Sequence, residues 1–61
     1  MSVQAIADSA QICKNNAKWL REMAQSENNA DVKKLLLVAA HHLDVGVAEL
    51  DYILTEATVS I

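Results

Sequence analysis

The sequence predicts an all-α fold: an antiparallel two-helix hairpin assembling as a homodimeric four-helix bundle, or as a higher helical oligomer. Three observations predict it. Apolar residues recur at heptad spacing in both halves of the chain, and a single polar break, SENNAD at residues 26–31, separates those halves. Composition also starves a sheet: 52% of the 61 residues are apolar, yet there is no Phe, one Trp, one Tyr, no Pro and one Gly. A core must then be built of Leu, Val, Ile and Ala, as in helix bundles, and the turn residues of a multi-stranded sheet are missing. The chain reads as one domain, 1–61, with a helix over about 3–26, a connection over about 27–30 and a helix over about 31–58.

The first helix carries Val3, Ile6, Ala10, Cys13, Ala17, Leu20 and Ala24 at alternating spacings of three and four, the seam of a helix packed along its length against another. Ala10, Ala17 and Ala24 form a small row, which lets helix axes approach. Ser2 is placed to cap this helix by accepting from a free amide of its first turn. Ile12, Trp19 and Met23 sit beside the seam and widen the apolar arc. Trp19 is expected first as the large filler of that arc, and alternatively as an anchor for a partner. Cys13, in the seam, is expected to pack as a small apolar side chain.

In the connection, Asn28 or Asn29 is expected to accept from the amides opening the second helix, with Asp31 favourably placed in its first turn. The second helix repeats the pattern with Val32, Leu36, Ala39, Leu43, Gly46, Leu50, Ile53 and Ala57. Gly46 costs about 1 kcal/mol against alanine in a helix interior, which a close approach of a neighbouring backbone would justify; a kink is the alternative. Ala40, Val47 and Leu54 flank this seam, and Val38, Val45 and Tyr52, spaced by sevens, make a separate stripe. The last residues, TVSI, are expected to fray.

So small a chain rarely hides enough surface alone to offset the entropy of ordering itself. Cys13 has no partner for a disulfide, and no Cys/His spacing suits zinc, so self-association is the expected remedy. A two-fold dimer hiding about 600–1,000 Å² of additional apolar surface per chain would gain roughly 15–25 kcal/mol before entropic losses. The first residues lack the pattern of a signal peptide, and no apolar stretch approaches the roughly 20 residues that span a bilayer, so a cytoplasmic location and no membrane partner are expected.

Little in the sequence suggests chemistry. His41 and His42 are adjacent and diverge by about 100° on a helix, so they cannot grip one ion together. His41 shares a face with Asp44, and pairing between them is favoured over metal binding. His42 is expected at a helix–helix margin, where its protonation would bear on association. Without a phosphate loop, serine elbow or zincin motif, no enzyme, catalytic residue, metal or cofactor is expected.

The expected function is therefore non-catalytic: a small protein–protein interaction or regulatory protein of bacterial or phage type, self-associated, that binds a larger protein such as a repressor. Ile12, Trp19 and Met23, or Val38, Val45 and Tyr52, are the candidate partner-binding residues. RNA is the alternative partner. Gln11, Lys14, Lys18, Arg21 and Gln25 form a polar ridge on the first helix, and three cations per copy would become six in a two-fold bundle. This arrangement resembles the Rop family of plasmid copy-number regulators, two-helix hairpins that pair into four-helix bundles. The resemblance covers architecture alone, without a counterpart of that family's recognition aromatic on the ridge. It implies RNA binding through the first helices. Against it, the net charge of −3 repels nucleic acid at long range, and a solvated ridge whose Lys14 and Lys18 meet acids on the paired helix is the favoured reading.

Overall fold

Two helices, α1 (Val3–Ser26) and α2 (Ala30–Val59), account for the fold in the computed structural model, which describes residues 2–59. At about 1.5 Å per residue α2 alone is about 45 Å long. The molecule measures 49 × 14 × 14 Å, so α1 must fold back alongside α2 as an antiparallel hairpin. The result is a rod: its radius of gyration is 14.3 Å, against about 10.5 Å for a compact domain of this length.

Both helix starts follow from side chains that satisfy otherwise unpaired amides. The Ser2 hydroxyl accepts from the Ala5 N–H at 3.1 Å. Asn29 opens α2, its Oδ1 accepting from the amides of Asp31 (3.0 Å) and Val32 (3.1 Å), with Asp31 in the first turn beside the positive end of the helix dipole. Glu27 closes α1 through a backbone bond from its N–H to the Ala24 carbonyl at 3.4 Å, while its carboxylate accepts from the Asn29 N–H at 3.0 Å. Residues 27–29 thus form the whole connection, and Ala30, expected in the loop, begins α2. At the other end, Thr58 still lies in α2, its hydroxyl donating to the carbonyls of Leu54 and Thr55; residues 60–61 of the segment expected to fray lie outside the described residues.

The α1 seam forms as its spacing predicts. Ala10, Ala17 and Ala24 are buried and Ile6, Cys13 and Leu20 half-buried, while Val3, at the helix end, is exposed. On α2 one row of the expected seam is displaced by one residue. Leu36, Leu43, Leu50 and Ala57 turn inward as expected, and with them the buried Ala40 and Val47 and the half-buried Leu54; of the expected row Ala39 and Ile53 are exposed and Gly46 is half-buried, and Val32 is exposed near the connection. The reason is volume. Facing the alanine row of α1, Val47 and Leu54 fill space that Gly46 would leave empty, and close packing selects the fuller row.

Gly46 consequently makes no close approach within the hairpin. A Cβ built on it would meet nothing within 4 Å, and α2 runs through it as one continuous helix, so the kink is not formed either. Trp19 does not fill the interior: it is 68% exposed. Among the described residues the buried core consists of four alanines and Val47. With so little inside, the accessible surface is 4624 Å², about 700 Å² more than the roughly 3,900 Å² of a typical monomer of its mass.

Candidate functional site

The surfaces outside the core divide into two flanks and a back. One flank is charged. Gln11, Lys14, Lys18, Arg21 and Gln25 all lie exposed along α1, and an ion pair from the Arg21 guanidinium to the Asp44 carboxylate bridges the two helices on this side. Gln11 donates to the Asn15 side chain at 3.1 Å, which orders the ridge along its own helix. Asp44 is thus engaged by Arg21 and not by His41, as the sequence suggested, and the cation meeting an acid across the hairpin is Arg21 where Lys14 and Lys18 were expected. Both partners are about half exposed, so the pair stabilises little; it marks which sides of the two helices coincide.

That pairing locates the second flank. Trp19 lies two residues before Arg21 and Gly46 two residues after Asp44, each about 200° further round its helix. Both therefore stand on the side of the hairpin opposite the ion pair. Ile12 and Met23 accompany Trp19 on α1, at 58% and 48% exposure, and Leu35 and Ile53 accompany Gly46 on α2, at 66% and 46%. The candidate residues Ile12, Trp19 and Met23 are in this way joined with Leu35 and with Gly46 and Ile53, which heptad spacing alone assigns to the hairpin seam. Leu35 was the missed residue. Its signal was the uninterrupted run Leu35, Leu36, Leu37, Val38, in which successive side chains turn by about 100° so that only Leu36 reaches α1.

The back of α2 carries the remaining candidates. Val38, Val45 and Tyr52 lie about half a turn from the inward row of Leu36, Leu43 and Leu50, pointing away from α1, and are 41%, 46% and 67% exposed. Shallow apolar hollows adjoin Tyr52, one lined by Val45, Ala48, Glu49, Tyr52 and Ile53 and the other by Tyr52, Ile53, Glu56 and Ala57. An aromatic with hollows on both sides can accept a ridge of side chains from another molecule.

The polar residues of a kind that carries chemistry are dispersed. His41 and His42 are both exposed, their ring centres 6.3 Å apart and their planes tilted by 50°. Cys13 is a half-buried free thiol in the α1 seam. Among the described residues, no three His, Cys, Asp or Glu side chains converge to hold a metal ion, and no helix is long and apolar enough to cross a membrane. Compared with protein-family models, curated proteins and solved structures, the chain matches none.

Proposed function

We propose that this protein is a non-catalytic interaction protein: a self-associating helical hairpin that regulates a larger protein, such as a transcription repressor, by binding it. The observation that carries the reading is the amount of large apolar surface, Trp19, Leu35 and Tyr52 above all, left two-thirds exposed on a chain with almost no interior of its own. Surface of this kind marks interfaces, and aromatic side chains dominate the energetics of those interfaces. The RNA reading draws less support. Asp44 neutralises Arg21, the ridge's one guanidinium, leaving Lys14 and Lys18 as its remaining cations in a chain of net charge −3.

The test is to capture partners of the tagged full-length chain, identify them by mass spectrometry, and reconstitute the complex from purified components. Tyr52→Ala and Val45→Lys are expected to lose the partner while retaining helical circular dichroism. A complex that instead weakens steeply with salt and is lost in a Lys14→Glu, Lys18→Glu double variant would establish RNA binding in place of this reading.

A further inference from the structure

We propose that the apolar flank formed by Ile12, Trp19 and Met23 of α1 with Leu35, Gly46 and Ile53 of α2 is the surface on which a second copy of this chain docks, leaving the back of α2 free for a different protein. The inference rests on the proposed reading of the chain as a self-associating interaction protein and assigns its two apolar areas different occupants, the areas meeting at Ile53, which also lines both hollows beside Tyr52.

Four observations select a second copy. The first is need: among the described residues the buried core is four alanines and one valine, so cover must be present whenever the hairpin is folded. The one partner always made alongside a chain is another copy of it. The second is area. The excess of about 700 Å² over a typical monomer is close to the share of about 800 Å² that each partner buries in a standard interface.

The third observation is charge. A two-fold contact brings like residues near like, so a self-interface must be nearly uncharged. The flank bearing Lys14, Lys18, Arg21 and Asp44 fails that condition. The back of α2 is a single-helix stripe bordered by Lys34, Glu49 and Glu56. The Trp19 flank is contributed by both helices: beside Trp19 stand the uncharged Ile12, Asn16 and Met23, with Lys18 across the hollow that Trp19 lines, and on α2 His42 and Glu49 continue the row of Leu35 at seven-residue steps.

The fourth is Gly46. Helix propensity disfavours it, and nothing in its own hairpin would meet a Cβ there. Against a second copy, the missing side chain lets two helix axes close to short range, so that Leu35 and Ile53 on either side interdigitate with their counterparts.

Trp19 is the sole tryptophan, so its fluorescence reports on this flank alone. The full-length chain is to be followed by sedimentation velocity and by acrylamide quenching over a dilution series. The expected result is a dimer or larger assembly in which Trp19 emits at short wavelength and is quenched several-fold more slowly than in the dissociated chain. Ile53→Lys is expected to weaken self-association by about tenfold or more, whereas Val45→Lys leaves it intact.

A folded single chain at micromolar concentration overturns the proposal. So does an assembly in which Trp19 remains freely quenched, or one broken by Val45→Lys and not by Ile53→Lys. Trp19 quenching needs no variant, so it decides the matter even if Ile53→Lys fails to fold. Failure of the partner-binding reading is separately visible, as a reconstituted complex that survives both Tyr52→Ala and Val45→Lys.

Discussion

At Asn29 a single side chain decides where a helix begins. Its Oδ1 accepts from two amides, Asp31 and Val32, that the start of α2 would otherwise leave to water. Asn29→Ala should lower stability by about 1 kcal/mol, measured as a shift in the urea unfolding midpoint. Arg21→Ala should change it by less than about 1 kcal/mol, because the Arg21–Asp44 pair is roughly half exposed and screened by solvent. Ala17 answers oppositely to its modest size. At 1% exposure it has no room to grow, and Ala17→Leu should destabilise the hairpin by about 1–3 kcal/mol through overpacking, seen in the same denaturation experiment.

The two helices differ in how many partners their patterns address. On α1 the apolar positions resolve into one seam and one exposed stripe, with the cationic ridge on the other side, and the seam could be read directly from spacing. On α2, neighbouring apolar positions compete at Ala39/Ala40, Gly46/Val47 and Ile53/Leu54. Periodicity admits either member of each pair, and the volume left by the α1 alanines chooses the second. Val47→Ala should therefore cost about 1–3 kcal/mol, from lost burial plus the cavity left behind. Gly46→Ala should behave differently with concentration. In dissociated chains it should raise helix stability by up to about 1 kcal/mol, since the added methyl meets nothing; in the assembly that gain should shrink or reverse. Thermal melting of both proteins at high and low concentration makes the comparison.

For the whole molecule the governing quantity is the ratio of interior to surface. A rod 49 Å long and 14 Å across cannot enclose much, and among the described residues four of the five buried apolar side chains are alanines. Folding and association should then be one process, with a melting temperature that climbs as protein concentration rises. A melting temperature independent of concentration across the micromolar range would contradict this coupling. The division of surfaces follows from the same geometry. A hairpin has two flanks and two backs, and this one places its ion pair on one flank, an apolar area built from both helices on the opposite flank and a tyrosine-centred stripe on the back of α2.

The sequence by itself determined the two helices, capping by Ser2 and by one of Asn28 and Asn29, the α1 seam, and the presence of more apolar surface than a hairpin interior can cover. Those features depend on local hydrogen bonding and on helical period, which are properties of neighbouring residues. Only the tertiary structure decided that Val47 and not Gly46 faces α1, that Asp44 answers Arg21 and not His41, and that Trp19 stands on the same side as Leu35 and Ile53. Each of these depends on the angle at which one helix is rotated against the other. That angle is fixed by how side chains from distant parts of the chain fill a shared volume, and no pattern within a single helix contains it.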